Sequence, residues 1–405
     1  QVEYTGPRVI SSQEASMRLS SATELLARLN EVEGTSYTLA QYPQLAQTLQ
    51  QYIVEGCDFG VIYARLRSGW TPDPILGLQN LRTRKKEDVE LRSAAFGIKT
   101  RTIIKPSLPP RRVWDLYSNR VVPYYVASYL HGAVSHSWMH DAQRHTVHTA
   151  INGHEWPVPI PTDTTLERVR IELLNLRLQY VWLDVLCLRQ KGPEHNEATR
   201  DQEWRTDVPT IGSVYHSTTF VVHYYSGLGR PFRIENLDDE RHWLNRAWTL
   251  QEVTADPIIA GETPCSPLST RVAVDAETGE VIDRDERRFY NTLASLVSNT
   301  QHLYCIYSIL DAMRHRSASS ELDKIAGLVY RVSASYLPPY IPSQSPEDAW
   351  AALVKAMLPR FRGDLLFLFP RPGEGFHRWF PTWQQVKSEA RLPREESMHE
   401  PVEFD

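Results

Sequence analysis

A single glutamate, Glu252, closes the stretch NRAWTLQE at residues 245–252 and stands four residues after Trp248. We predict a helix over residues 240–254, on which positions i and i+4 share one face. A carboxylate beside an indole is partly desolvated, which raises its pKa and strengthens its interactions. Such a group is suited to stabilising the positively charged sugar that forms when a glycosidic bond breaks. The spacing alone favours a helix-surface carboxylate that pairs with Arg246 or another basic residue.

A second carboxylate, Asp184, stands inside the apolar run YVWLDVL at residues 180–186. The run predicts a buried strand, and a buried carboxylate needs hydrogen-bond partners. Asp184 therefore either caps a backbone turn or orders a site at the end of that strand. We favour the ordering of a loop over a direct part in catalysis.

Polar and aromatic side chains close two other predicted strands, GAVSHSW at residues 132–138 and TTFVVHYYS at residues 218–226. Ligands of open parallel sheets bind beyond the carboxyl ends of the strands, so we look for a pocket there. The candidate pocket residues are Ser135, His136, Trp138, Asp184, Ser226 and Trp248. The indole of Trp138 could stack on a flat ring, although the core is the commoner place for a tryptophan.

Three other sequence patterns are weaker indications of a chemical site. Histidines are frequent between residues 131 and 154, but the stretch has no cysteine and no HExxH, so we predict no metal site. Cys187 lies at the end of an apolar strand, where a buried free thiol is expected rather than a nucleophile. GLGRP at residues 227–231 lacks the third glycine of a pyrophosphate fingerprint and is read as a mobile loop.

Strands and helices alternate through the middle of the chain. The predicted strands are 132–138, 180–186, 218–226 and 257–261, and the predicted helices between them are 165–176, 204–215 and 240–254. This alternation predicts an α/β fold with a parallel sheet and right-handed crossovers. Residues before about 110 and after about 285 read mainly as helices.

Composition excludes several classes of partner. The 405 residues carry a net charge of −5, which gives no support to nucleic acid or an anionic membrane as a partner. No apolar run approaches the roughly 18 residues that cross a bilayer, and we find no signal-peptide pattern. The four cysteines form no CxxC pair, which fits free thiols in a reducing compartment. We predict a cytoplasmic protein.

Several of these motifs together resemble a known family. YVWLDVLCLRQ (180–190), VPTIGSVYHSTTFVVHY (208–224) and NRAWTLQE (245–252) are similar to motifs of the fungal heterokaryon-incompatibility (HET) domain. AVSHSW (133–138) looks like its opening strand, and LDKIAGLVY (322–330) like the segment that commonly follows it. The resemblance covers roughly residues 110–335. It implies three parts: an N-terminal helical region (1–110), a HET domain (111–335) and a C-terminal helical extension (336–405).

The order of elements also resembles, more distantly, a TIR domain, which has a flavodoxin-like parallel sheet. VSHSW, VWLD, VYHS, FVVHYYS and Trp248-Thr-Leu-Gln-Glu252 follow one another as the corresponding TIR elements do. In enzymatic TIR domains the glutamate of the last element is the catalytic residue of NAD⁺ cleavage. The resemblance therefore implies that Glu252 is the essential carboxylate.

These resemblances imply a role in fungal non-self recognition and regulated cell death, with NAD⁺ as substrate and no permanently bound cofactor. They also imply assembly into homo-oligomers on activation, as in TIR proteins. Two alternatives stay open. One is a non-enzymatic death-signalling adaptor that works by contacts between like domains. The other is a different nucleotide N-glycosidase or transferase on the same scaffold.

Overall fold

The computed structural model describes residues 2–70, 73–127, 129–192, 196–234, 236–261, 284–301 and 306–393. Within these ranges the chain opens with α1 (Ser12–Ala15), α2 (Ala22–Glu33), α3 (Pro43–Val54), α4 (Phe59–Arg67) and α5 (Pro74–Ala95). Pro43 and Pro74 occupy first turns, where the missing N–H has no helical partner to lose. Asp58 caps α4 by accepting from the backbone N–H of Val61 at 2.9 Å.

The middle of the chain carries the strands. They are β1 (Phe96–Gly97), β2 (Thr102–Ile103), β3 (Arg112–Asp115), β4 (Arg120–Pro123), β5 (Gly132–His136), β6 (Arg144–Val147), β7 (Val158–Pro161), β8 (Tyr180–Leu183), β9 (Phe220–Tyr224) and β10 (Ile258–Ile259). The helices among them are α6 (Leu166–Asn175), α7 (Asp184–Cys187), α8 (Glu197–Asp207) and α9 (Ile211–Ser217). The strands predicted over 132–138, 218–226 and 257–261 and the helix at 165–176 are confirmed. The strand predicted over 180–186 ends at Leu183, and Asp184 begins the short helix α7 instead of standing inside the strand. The helix predicted over 204–215 is replaced by α8 and α9, with a break between them.

Six of the described strands form one sheet, in the order β10-β9-β5-β8-β3-β4. β5 lies parallel to both β8 and β9, and β10 lies parallel to β9. The chain runs from β5 to β8 on one side of it and then to β9 on the other side. β1–β2 and β6–β7 are separate antiparallel hairpins.

The sheet is mixed rather than wholly parallel, which corrects the sequence prediction. β3 lies antiparallel to β8 and pairs with β4 in a hairpin. Asn119 turns this hairpin with a positive φ of 52°, a conformation that asparagine tolerates better than most residues. The architecture is α/β: a six-stranded mixed sheet with helices around it.

Helices dominate the last third of the chain, as the sequence predicts. In the described residues they are α10 (Arg284–Gln301), α11 (Ile306–Arg314), α12 (Glu321–Val332), α13 (Pro346–Ala356), α14 (Pro359–Phe367) and α15 (Trp383–Ser388). Ser345 caps α13 by accepting from the Asp348 N–H at 3.1 Å. Ser320 and Asp323 form a capping box on α12.

The helix predicted over residues 240–254 is wrong. The segment holds two short 3₁₀ helices, Trp243–Asn245 and Trp248–Gln251, with Arg246 extended between them. The reason is a pairing with Ser317. Its N–H donates to the Asn245 carbonyl at 2.6 Å, and its carbonyl accepts from the Ala247 N–H at 2.8 Å. These tertiary hydrogen bonds use backbone groups that a continuous helix would satisfy internally.

The N-terminal helices enclose an apolar cluster of their own, and a larger cluster contains side chains from Ala64 to Leu392. Buried ion pairs join the two parts. Arg67 of α4 holds Asp115 at 2.9 and 2.7 Å, and Arg120 contacts Asp58 at 2.8 Å. The domain boundaries at 110 and 335 stay predictions. No helix in the described ranges is both long and apolar enough to cross a membrane.

Candidate active site

The carboxyl ends of β5, β8 and β9 lie side by side at one edge of the sheet. Ser135 and His136 end β5, Asp184 follows directly on β8, and Tyr224 ends β9. Every residue of β5 is buried, because the strand lies between β8 and β9. Polar groups at its end therefore need partners from other parts of the protein.

Glu252 is one of those partners. It ends the second 3₁₀ helix and is only 8% exposed, so it is not a surface carboxylate. The Ser135 hydroxyl donates to Glu252 Oε2 at 2.5 Å and accepts a hydrogen bond from Trp243 Nε1 at 2.7 Å. This chain of hydrogen bonds fixes the orientation of the carboxyl group. The indole connected to Glu252 is thus Trp243, where the sequence had suggested Trp248.

The surroundings make Glu252 a weak acid. Burial raises its pKa to about 7, the hydrogen bond from Ser135 opposes the rise, and the negative charge of Asp184 adds to it. In the described part of the chain no cation forms an ion pair with Glu252, although the charges of His136 and Arg246 act on it. The Tyr215 hydroxyl, which donates to the Val134 carbonyl, lies beside the same carboxyl group. Near neutral pH the group is close to half ionised, the state that suits proton exchange.

Asp184 organises the end of β8. One oxygen contacts His136 Nε2 at 2.8 Å and accepts from the Val185 N–H at 2.7 Å, and the other accepts from Trp138 Nε1 at 2.9 Å. Burial favours the uncharged acid, but His136 and these hydrogen bonds outweigh it and lower the pKa of Asp184. Asp184 thus orders the loop after β5, in line with the role favoured from the sequence.

His136 completes this arrangement. Its Nδ1 faces the Ser137 carbonyl at 3.2 Å, so both ring nitrogens face acceptors, as an imidazolium requires. Burial alone would lower the pKa of His136, but the charge and hydrogen bond of Asp184 raise it. The Trp138 ring stacks on the imidazole at 5.9 Å between centroids. These three side chains form a rigid wall beside Glu252.

The two remaining predicted residues lie apart from this network. Ser226 closes the loop after β9 by accepting from the Arg233 N–H at 2.9 Å and donating to the Arg233 carbonyl at 3.1 Å. Trp248 is half-buried against the core, and no described hydrogen bond or ring contact joins it to Glu252. The structure therefore groups Glu252 with Ser135, His136, Trp138 and Asp184, and shows no hydrogen bond or ring contact from Trp248 to these residues in the described part of the chain.

A cleft of about 210 Å³ opens between the ends of β5 and β9. Its lining includes Ser137, Tyr225, Ser226, Arg230, Arg241 and His242. The GLGRP loop forms one side, and Gly227 and Gly229 both have positive φ, which explains the two glycines there. The cleft takes part of a ligand rather than a whole dinucleotide.

Sequence reasoning missed several residues of this region. Trp243 lies two residues before the NRAWTLQE motif and within the predicted helix 240–254, but the spacing to Glu252 directed attention to Trp248. The sequence marks Tyr215 only as an apolar position of a predicted helix, with no indication that it lies beside Glu252. Arg316 donates to the Arg246 carbonyl at 2.6 Å and to Thr249 Oγ1 at 2.8 Å, and no local pattern connects residues so far apart in sequence.

The structure also places the other candidate groups. Among the described residues no three His, Cys, Asp or Glu side chains come together in a way that would hold a metal ion. His145, His148 and His154 are exposed on the surface. Cys187 is buried and burial raises its pKa to about 12, as expected of an unreactive thiol. Cys265 and Cys305 lie outside the described residues.

The fold and the site together define an α/β protein with a buried, weakly acidic carboxyl group beside the carboxyl ends of parallel strands. Residues 124–230, about a quarter of the chain, match the sequence model of the family described as heterokaryon incompatibility protein (HET). The matched segment contains β5, β8 and β9 and ends before Glu252. Searches of curated proteins and of solved structures each found no match.

Proposed function

We propose that this protein acts in fungal non-self recognition and cell death by cleaving NAD⁺, or a related nucleotide, at the bond between nicotinamide and ribose. The role in incompatibility is supported by the HET match over residues 124–230. The cleavage activity is supported by one observation above the others. Glu252, an acid with a pKa raised to about 7, is held by Ser135 at the carboxyl edge of the parallel strands.

The chain path supports a TIR-like reading of the fold. In order of appearance, the four parallel strands stand second, first, third, fourth across the sheet. This is the start of the flavodoxin-like order, in which the ligand lies between the first and third strands. Those strands are β5 and β9, and the 210 Å³ cleft opens between their ends. Glu252 hydrogen-bonds to Ser135, two residues before Ser137 of the cleft lining, and is not itself one of the residues that line the cleft.

Cleavage of NAD⁺ requires few protein groups besides this carboxylate. The C1′–N bond breaks, its electron pair neutralises the pyridinium nitrogen, and nicotinamide leaves without a general acid. The ionised Glu252 stabilises the positive charge on the ribose, as a carboxylate does in glycoside hydrolysis. Water then adds to C1′ and gives up a proton, which Glu252 can accept. The products are nicotinamide, ADP-ribose and one proton.

Nicotinamide release from NAD⁺, followed by chromatography, tests this proposal. We expect release by the wild type and a loss of at least about a hundredfold in Glu252→Gln, because the neutral amide cannot stabilise the cation. Glu87→Gln, which changes an exposed carboxylate on α5, is the matched control and should retain full activity. Circular dichroism checks that all three proteins are folded.

Assembly belongs to the proposal, because TIR-like enzymes work as oligomers. If the monomer is silent, fusion to an oligomerising tag should start nicotinamide release. Silence of the tagged wild type would refute the hydrolase, whereas equal release by Glu252→Gln would refute the role of Glu252. Release from another nucleotide alone would indicate a different N-glycosidase or transferase.

The competing function is a death-signalling adaptor. Exposed apolar side chains near the C-terminal helices favour it, since Phe376 is 96% and Phe367 is 79% exposed. An adaptor should keep its cell-death activity in Glu252→Gln and lose it in Phe367→Ser with Phe376→Ser. The hydrolase should show the reverse pattern.

A further inference from the structure

Three arginines whose charges act on one another lack a full set of partners, and one of them, Arg246, also acts on Glu252. Arg246 stands between the two 3₁₀ helices, is only 6% exposed, and makes no side-chain hydrogen bond or ion pair with any described residue. None of its guanidinium nitrogens is among the buried atoms that lack a hydrogen-bond partner, so they keep contact with solvent and are open to an anionic ligand.

Two further guanidinium groups share this property in part. Arg241 lines the 210 Å³ cleft, and Arg144 lies over the Trp138 ring at 5.1 Å. The Nε atoms of both are buried and have no hydrogen-bond partner among the described residues. Their other partners, Glu240 and Asp141, are highly exposed carboxylates.

The three charges also act on one another. The pKa of Arg246 is lowered by burial first and by the charge of Arg241 next, and Arg144 adds to the effect. The Glu252 charge compensates only in part, since the two groups form no direct contact of ion-pair length. The positive charge of Arg246 is repelled by those of Arg241 and Arg144, and a bound anion would attract all three.

We propose that Arg246, with Arg241 and Arg144, binds the diphosphate of a dinucleotide substrate next to Glu252. The guanidinium fork matches phosphate oxygens and donates two hydrogen bonds at once. Of the three arginines, Arg241 lines the cleft at the switch between β5 and β9, and its charge acts on Arg246. The choice of a dinucleotide rests on the proposed function, but the anion site stands on the arginines alone. The anion site makes the protein selective for NAD⁺ over nicotinamide riboside, which has no phosphate.

Calorimetric titration tests the site directly, with inorganic pyrophosphate, ADP-ribose and adenosine as probes and Glu252→Gln as a second background. We expect pyrophosphate and ADP-ribose to bind, and adenosine to bind much more weakly. Arg241→Gln should weaken pyrophosphate binding about tenfold, and Arg246→Met more than that, because each removes charge-assisted hydrogen bonds. Arg82→Gln, at an exposed arginine of α5, is the matched control and should bind as the wild type does.

Absence of pyrophosphate binding to the wild type would overturn the inference. So would binding that Arg241→Gln leaves unchanged, or that Arg82→Gln weakens equally. Arg241 is partly exposed, so its variant tests the site even if Arg246→Met fails to fold. Pyrophosphate binding without nicotinamide release by the protein fused to the oligomerising tag would keep the anion site and refute the hydrolase. Nicotinamide release that neither Arg241→Gln nor Arg246→Met affects would keep the hydrolase and overturn the anion site.

Discussion

At the scale of single residues, the buried position of Glu252 has a cost in stability. The unfolded chain ionises this group near its ordinary pKa of 4.5, whereas the folded protein keeps the proton up to about pH 7. Between these values the folded state binds more protons, so the free energy of unfolding falls as the pH rises, and it levels off above pH 7.

Glu252→Gln should remove this pH dependence, because an amide does not titrate. We expect the variant to match the wild type near pH 4.5 and to be more stable above pH 7, by up to about 3 kcal/mol. Urea unfolding at a series of pH values measures the difference. A difference that stays constant from pH 4.5 to 8 would contradict the assignment of the raised pKa to Glu252.

The hydroxyl of Ser135 sets the acidity of the same group. Its hydrogen bond favours the ionised carboxylate, so Ser135→Ala should raise the pKa of Glu252 further. If ionised Glu252 is the active form, the acidic limb of the pH–rate profile for nicotinamide release moves to higher pH. Ser137→Ala is the control, because the Ser137 hydroxyl donates to the Tyr225 carbonyl at 2.7 Å instead. An unmoved limb in Ser135→Ala would count against the hydrogen-bond chain.

At the scale of elements, the segment that carries Glu252 depends on helices from later in the chain. Arg316 follows α11 and bonds to the Arg246 carbonyl and Thr249, and Arg331 of α12 donates to the carbonyls of Leu250 and Val253 at 3.1 and 3.3 Å. Two arginines and the Ser317 backbone therefore hold a segment that has little helical hydrogen bonding of its own.

Arg316→Met should loosen this segment, because it removes the hydrogen bonds to the Arg246 carbonyl and to Thr249 and leaves that carbonyl only the Thr249 hydroxyl as donor. We expect a loss of about 2 to 3 kcal/mol in the free energy of unfolding, and lower nicotinamide release. Arg371→Met is the control. That arginine is 49% exposed and pairs with Glu389, so its loss should cost less than about 1 kcal/mol. Equal losses of unfolding free energy in the two variants would show that Arg316 stabilises the protein no more than an exposed arginine does.

The same elements show what the sequence could and could not predict. Strands β5, β8 and β9 were predictable, because continuous apolar runs ended in polar residues. The segment around Trp243 was not, because the partner that breaks its helix, Ser317, lies some seventy residues later. Glu252 and Ser135 were both named from their motifs, but the hydrogen bond by which Ser135 orients Glu252 was visible only once β5 was placed beside the segment. The hairpin β3–β4 was missed, since its strands are short and follow a proline-rich joint.

At the scale of the whole molecule, the N-terminal helices and the sheet are joined through Arg67. Its guanidinium holds Asp115, which is fully buried, and lies over the rings of Tyr117 and Tyr180 at 4.8 and 4.5 Å. Removing one partner of a buried pair leaves the other charge uncompensated, which is the costly case.

Arg67→Met should therefore lower the stability of the entire protein by about 3 to 5 kcal/mol. We expect scanning calorimetry to show one transition at a lower midpoint, because the helices and the sheet share this contact. Arg8→Met is the control, since its ion pair with Glu31 is exposed and should contribute little. A new, separate transition in Arg67→Met would show instead that residues 1–110 unfold on their own.

The support of Glu252 by Arg316 and Arg331 also sets the order in which the protein can become active during its synthesis. The ribosome adds Glu252 well before these arginines, and the 79 residues to Arg331 take roughly 4 to 16 s at ordinary elongation rates. Until they emerge, the segment with the carboxylate lacks its fixed geometry. If the protein cleaves NAD⁺ as proposed, we expect a nascent chain that already contains every predicted site residue but ends before Arg331 to be inactive.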